Sequence, residues 1–402
     1  MKWYRAYFPF RVASAATIPL IPLYVNRLGG GLAEAGLAVA MFNLTAAFAS
    51  LFFGRLSKPR VLRSYALGGF LGLTLASAVF YSAPSVVYVF MASAIAGFAT
   101  AICALAAVLL IAETNEGSSW NREIGRFNRV SDFGWLTGLV VGALWSYFSM
   151  EKEVFIISAT LAGMSFAYTF TVLKHHPSGG IHAERVEVDL DGEAHATSLA
   201  ALYVASTFLM FMSTSLGYSL LPSFIVGMDG TSTEVFLAYV TSTTISVLTY
   251  PRVEGLSRGD NIHVQSWASA GRVLIMVAFA LSSLLVRGKG GIVLVMAAMS
   301  LSGFTWAILN VAGPAAAMKL AHEKKGKIMG VYNATIFLSS IAGSALSGII
   351  AESLGYPTLF LTAALLTLAS IPLLERARLM LKRSTRTVTA TTTQKCATTT
   401  SS

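Results

Sequence analysis

The stretch ETNEGSSWNREIGRFNRVSDFGWLTGLVVG, residues 113–142, decides the fold, because the chain carries its plan twice. Residues 323–347, EKKGKIMGVYNATIFLSSIAGSALS, again run from a charged loop into an apolar segment, and Gly330-Val-Tyr-Asn333 stands where Gly125-Arg-Phe-Asn128 stood. Residues four apart share one face of an α-helix. Gly134, Gly138 and Gly142 then form a smooth seam, and Ser339, Gly343 and Ser347 form its counterpart. Small residues at that spacing let two membrane helices approach closely. The repeat predicts a duplicated membrane bundle.

Composition agrees. Hydrophobic residues make up 55% of the 402 residues and charged ones 12%, too few charges to cover a soluble protein of that length. The apolar runs reach the roughly 20 residues that a helix needs to cross a bilayer. A net charge of +10 could suggest nucleic acid in a soluble chain. Here it reads as Lys and Arg holding loops on one side of a membrane, so no nucleic-acid partner is expected. Cys103 lies in an apolar run and Cys396 near the end, a pattern that argues against a structural disulfide. Ala13-Ser-Ala15 mimics a signal cleavage site, but Arg11 interrupts the few apolar residues before it, so the first helix is expected to stay.

Twelve spans follow: 6–26, 33–54, 64–82, 86–111, 127–149, 153–173, 197–221, 233–250, 264–286, 291–313, 327–350 and 355–374. Of the 29 Lys and Arg, 22 fall on the side that holds the N-terminus. The opposite loops hold only Arg27, Lys152, Arg287 and Lys289. This asymmetry predicts that both termini are cytoplasmic. Residues 1–173 and 197–374 form the two bundles, joined by a polar cytoplasmic linker, 174–196. The His and acidic residues of that linker match no metal-ligand spacing, so a solvated connection is expected and no metal site. Residues 375–402, basic and rich in Thr and Ser, read as a disordered cytoplasmic tail resting on anionic lipid.

The halves also agree at a constant offset of 200: Pro22-x-Tyr24, Gly30 and Glu34 recur as Pro222-x-Phe224, Gly230 and Glu234. Together with Pro22-Leu-Tyr24 closing the first span, Gly54-Arg-Leu-Ser-Lys-Pro-Arg60 with Arg63, and the approach to the fifth span, these features resemble the major facilitator superfamily over residues 5 to 375. The resemblance implies an all-α integral membrane protein of twelve transmembrane helices in two pseudo-symmetric six-helix bundles. It also makes Gly54, Arg55, Lys58 and Arg63 the gating loop. In the family that loop reads approximately Gly-x-Leu-Ala/Ser-Asp-Arg-x-Gly-Arg-Arg. Here Lys58 occupies the aspartate position and Val61 the second glycine, Ser93 stands where many members carry an arginine, and Leu139 follows Gly138 where the drug–proton antiporters have proline.

Ionisable groups inside spans are costly and become candidates by default. Arg11 and Asp132 lie at matching depth in the first and fifth spans, which are neighbours in the family. Either they pair and the pair is broken or protonated during a transport cycle, or they form a static pair or snorkel to the interface. Asn128, Asp132 and Trp135 share a helix face, beside the glycine seam. Asn43, Tyr24, Tyr218, Trp306, Asn310 and Asn333 complete the candidates for binding a solute or coupling ion; buried asparagines also serve as helix–helix hydrogen bonds, and aromatics near span ends as interfacial anchors. Arg272 is expected to be structural, because the ninth span is peripheral in the family. No Gly-x4-Gly-Lys-Ser/Thr loop, zinc-hydrolase motif or nucleophile elbow is present, so neither an enzyme nor a cofactor is expected.

The expectation is a secondary active transporter in the plasma membrane, acting as a monomer, that moves a small organic solute by alternating access. Protons are its candidate coupling ion. Apolar walls favour an organic or amphipathic solute, and Arg11, if it faces the cavity, tilts the preference toward an anion. The competing expectation is a ligand receptor or assembly factor on a transporter scaffold, without flux.

Overall fold

The computed structural model describes residues 3–56, 61–114, 120–148, 151–172, 194–256, 260–286, 288–320 and 325–399. Lys58, residue 173 and residues 174–193 of the linker lie outside the described residues. Those described are almost entirely helical. The helices are α1 (Tyr4–Thr17), α2 (Leu20–Arg27), α3 (Leu32–Leu56), α4 (Leu62–Ser82), α5 (Val86–Thr114), α6 (Trp120–Tyr147) and α7 (Glu151–Val172). The second half continues with α8 (Ala194–Tyr218), α9 (Leu221–Gly227), α10 (Ser232–Leu256), α11 (Asn261–Leu284), α12 (Lys289–Leu320) and α13 (Lys325–Thr399).

Among the described residues, eight helices are long and apolar enough to cross a membrane, or nine when the bent pair α1 and α2 counts as one span. Two further spans expected from the sequence fall on α6 and α10, whose apolar stretches are interrupted by polar residues. The two after residue 327 fall in α13, which breaks at Gly355, where φ is 82°. Helix also runs on to Thr399, where the sequence predicted a disordered tail. No proline or glycine interrupts residues 373–399, so nothing in the backbone stops the last span's helix from continuing.

The repeat seen in the sequence is a repeat of local geometry. The first span of each half is broken at the same place, at 18–19 between α1 and α2 and at 219–220 between α8 and α9. The first pair bends by 42°. Proline, which lacks the N–H that a helix interior needs, follows or occupies each break as Pro19, Pro22 and Pro222. The next turns match atom for atom. Gly30 N–H donates to Val25 O at 3.0 Å, and Gly230 N–H donates to Ile225 O at 3.0 Å. Gly29 (φ 84°) and Asp229 (φ 61°) both take the left-handed conformation, which glycine adopts freely and aspartate tolerates. Glu34 then caps the Gly31 N–H at 2.8 Å, and Glu234 caps the Thr231 N–H at 2.7 Å, so each opens the next helix with a reach-back carboxylate.

The small-residue seams bring helices together as their spacing predicts. A β-carbon on Gly138 would lie 2.2 Å from Val12 O of α1, and one on Gly343 would lie 2.4 Å from Met212 O of α8. The fifth span thus packs on the first, and the eleventh on the seventh. The outer end of the first seam and the residue after the second meet the other half: Gly142 lies against Phe236, while Gly348 lies against Leu32 and Ala33. Nearby, Asn26 Nδ2 donates to Ser223 Oγ at 2.9 Å, and the Ala33 N–H donates to Glu352 Oε2 at 2.8 Å. Direct contacts between the halves among the described residues therefore gather at the end remote from the N-terminus. The polar residues described next lie toward the other end.

Candidate functional site

On the N-terminal half the site is built by α1 and α6. Because Gly134 offers no side chain, α6 comes so close that a β-carbon there would stand 3.0 Å from Arg11 Cβ. That approach lays the Arg11 guanidinium over the Trp135 ring, 4.8 Å from its centroid. Asp132 lies on the same face of α6, half-buried, and its charge and that of Arg11 attract each other. The two form no ion pair within 4 Å, however, so the close pairing considered from the sequence gives way to an arginine held by an aromatic face with a carboxylate nearby. Arg11 Nε is buried without a hydrogen-bond partner.

Across the boundary, α6 packs on α10. The Asp132 charge reaches Tyr250 of α10, and Tyr250 Oη accepts from Asn310 Nδ2 of α12 at 3.2 Å. Arg11, Asp132, Tyr250 and Asn310 thus form a polar line from one half to the other. Tyr250 was not among the residues singled out from the sequence; its signal is weak there, an aromatic close to a span end. Asn43 makes a second bridge, donating to Ser344 Oγ at 3.4 Å on α13.

The C-terminal half places Tyr218 and Trp306 together around a third residue, Arg272. Its guanidinium carbon lies 5.6 Å from the Tyr218 ring and 5.5 Å from the Trp306 ring. Tyr218 Oη donates to Ser302 Oγ at 2.7 Å, which fixes the ring. The sequence set Arg272 aside as peripheral, yet it is the largest fully buried side chain among the described residues, 1% exposed.

Other candidates lie apart. Tyr24 is buried at the remote end against Phe155, 5.1 Å between ring centroids, beside a cavity of about 470 Å³ that Asn26, Arg27 and Ser232 also line. Asn128 and Asn333 are exposed. Their neighbours Phe127 and Tyr332 turn inward, Phe127 into a cluster with Trp3, Tyr4 and Tyr7, and Tyr332 stacked on Tyr203 at 6.3 Å. In the expected gating loop, Gly54 and Arg55 end α3, and Arg63, in the first turn of α4, lies over the Phe170 ring at 5.4 Å.

An ionic cluster that the sequence did not reveal ties α11 to the end of α13. Asp260 caps α11, accepting from the His263 N–H at 3.1 Å, and its other oxygen meets Arg378 Nε at 2.6 Å and Lys382 Nζ at 3.0 Å. Arg378 also donates to Glu375 Oε2 at 2.8 Å. Burial works against the Asp260 charge, but the hydrogen bonds from Arg378, Lys382 and the His263 backbone outweigh it and hold its carboxyl down at about 2. Among the described residues, no group of three or more His, Cys, Asp or Glu could hold a metal ion.

Comparison with known proteins places this architecture. The chain is similar in structure to the nucleoside transporter NupG, with a TM-score of 0.70 and 15% identity over 95% of this chain and 98% of that one. A point mutant of NupG gives a TM-score of 0.69 and 16% identity over 93% of this chain and 98% of that one. An auto-inhibited peptide transporter of the POT family gives a TM-score of 0.69 and 12% identity over 93% and 96%. Such identities speak for the fold alone. No curated protein matches in sequence. The sequence model of the Major Facilitator Superfamily matches residues 5–259 and 260–395, almost the whole chain. With its broken first spans, paired seams and two repeated bundles, the chain belongs to the major facilitator superfamily of membrane transporters.

Proposed function

We propose that the protein is a secondary active transporter of the plasma membrane that carries a small organic solute between its two halves, with both termini cytoplasmic and the monomer as the working unit. One observation carries this reading: the halves touch at the end remote from the N-terminus, while the polar line Arg11, Asp132, Tyr250 and Asn310 crosses their boundary nearer the other end. A bundle pair closed at one end and polar within is what one state of an alternating-access cycle requires. The glycine and serine seams pack each half tightly within itself, so that each can move as one body.

Asp132 is the candidate proton carrier, because it is the one carboxylate in that line and has no tight ion-pair partner among the described residues. Protonating it would release Arg11 from its attraction and alter what the boundary holds together. Uptake into proteoliposomes with a pooled solute library and an imposed proton gradient tests the reading. Concentrative uptake that collapses with an uncoupler is the expected result. Equilibration indifferent to the gradient removes the proton from the proposal, and absence of flux for every solute, with ligand-induced stabilisation, overturns transport itself.

A further inference from the structure

The two repeats share a backbone plan, so a position where one carries a charge and the other does not is informative. In α4, Gly72 abuts Ala99 of α5; in α11, Gly271 abuts Thr305 of α12, and added β-carbons would lie 2.9 and 2.8 Å away. A second contact repeats on the other side of α5 and α12, Gly97 against Phe42 O of α3 and Gly303 against Ser242 O of α10, so α4 and α5 correspond in role to α11 and α12. The residue after the first glycine of each set is Leu73 in one half and Arg272 in the other, each 1% exposed. This site accepts leucine, so packing alone does not demand an arginine.

Arg272 stands midway along α11. A cation at that depth is expensive unless something compensates it. Its contacts compensate only in part. One terminal nitrogen donates to Thr214 Oγ1 at 3.0 Å, two aromatic faces flank the guanidinium, and Nε is buried with no hydrogen-bond partner. Among the described residues no carboxylate comes within ion-pair distance of Arg272, and none acts on it from farther away as Asp132 acts on Arg11. Tyr218 ends α8 where the seventh span breaks, and Trp306 is 38% exposed, so one side of the aromatic frame around Arg272 reaches the surface of the bundle. Broken helices at mid-depth are where membrane transporters build solute sites.

We propose that Arg272, framed by Tyr218 and Trp306, is the subsite for the carboxylate of a small organic acid, whose apolar body lies along Trp306. The proposal rests on the transporter reading above and narrows its solute. The free Nε edge of a guanidinium offers two parallel donors, the pattern that a planar carboxylate accepts. A single cation balances one negative charge, which disfavours a phosphate dianion.

The test uses the full-length protein and three probe pairs: benzoate, hexanoate and indole-3-acetate, each beside its primary amide. Thermal stabilisation in detergent and uptake into proteoliposomes are read for the native protein, Arg272→Met and Arg272→Lys. The expected result is a response to at least one acid and not to its amide, lost at least tenfold in both variants, because lysine keeps the charge but not the fork. Arg272→Met should at the same time melt no lower than the native protein, since it removes an uncompensated buried charge. Acids and amides acting alike, an acid response that survives in Arg272→Met, or no response to any acid overturns the assignment. Amide uptake that persists in those cases leaves the transporter reading standing without it. A large fall in the melting temperature of Arg272→Met marks Arg272 as structural and likewise overturns it.

Discussion

Gly142 lies beneath the ring of Phe236, so close that a β-carbon on the glycine would stand 2.3 Å from Cε1. The repeat relates this contact to another: Gly36, 200 residues before Phe236, meets the backbone of Ser344 and Gly348 on α13. These two approaches hold the remote ends of the halves together, and both depend on the absence of a side chain. Gly142→Leu and Gly36→Leu should each wedge that end apart. Overpacking a tight contact costs about 1–3 kcal/mol, so the closed arrangement should lose roughly tenfold in population. Thiol labelling of Ser223→Cys, whose native hydroxyl accepts from Asn26, measures this in a background free of Cys103 and Cys396. Labelling about tenfold faster in the leucine variants is the expected outcome, and unchanged labelling refutes the account of how that end closes.

A second symmetric pair lies within the halves. Added β-carbons on Gly97 and Gly303 would each meet a backbone carbonyl, of Phe42 and Ser242, at 2.0 Å. Backbone cannot step aside as a flexible side chain can, so Gly97→Ala and Gly303→Ala should each destabilise by about 1–3 kcal/mol. Their effects should resemble each other because the two sites are copies. Melting temperatures in detergent check this. Alanine at Gly68, whose nearest neighbour Ile102 would be 3.6 Å away, is the control and should change little.

The offset of 200 made the turns at 28–34 and 228–234 legible from the sequence, because the glycine and glutamate at those places answer to backbone geometry. The seams were legible for the same reason: spacing alone puts Gly134, Gly138 and Gly142 on one face. Arg272 was not, because sequence gives the depth of a residue in a span but not the direction of its side chain. Only packing shows that α8 and α12 close over it with Tyr218 and Trp306. The sequence set Asp132 opposite Arg11, and only the approach of α6 at Gly134 shows the Trp135 ring lying under the guanidinium. The Asp260 cluster joins residues more than 100 positions apart, beyond the reach of any local pattern.

Asp132 separates a proton-driven cycle from a passive one. In Asp132→Asn the carboxylate is replaced by an amide of nearly the same shape, so Arg11 keeps its place over Trp135 but loses the opposing charge. If the proton travels on Asp132, the variant should still exchange solute down its gradient while accumulation driven by a proton gradient falls to the equilibrative level. The native protein's uptake should depend on pH, and that of the variant should be flat. Accumulation and pH dependence equal to the native protein's would leave Asp132 as a packing residue.

Asp260 gives a pH signature that belongs to stability and not to transport. Its carboxyl, held at about 2, titrates below the ordinary aspartate value of 3.8. A depressed folded-state value means that the stabilisation is present above the unfolded value and lost as the pH falls from about 4 through 2. Linkage converts such a lowering at about 1.4 kcal/mol for each tenfold change in proton affinity, and solvent reaching the cluster screens part of it, so the charge contributes on the order of 1–2 kcal/mol at neutral pH. Asp260→Asn should therefore lower the melting temperature at pH 7 while leaving solute uptake at a permissive temperature unchanged. The gap between variant and native protein should narrow as the pH is brought toward 3, because protonation removes from the native chain what the substitution removed from the variant. Asp260 ties α11 to α13 through Arg378 at 2.6 Å, so limited proteolysis should cut the C-terminal segment sooner in the variant. A gap that stays constant from pH 7 to pH 3 would mean that the carboxylate's charge is not what holds the two helices together.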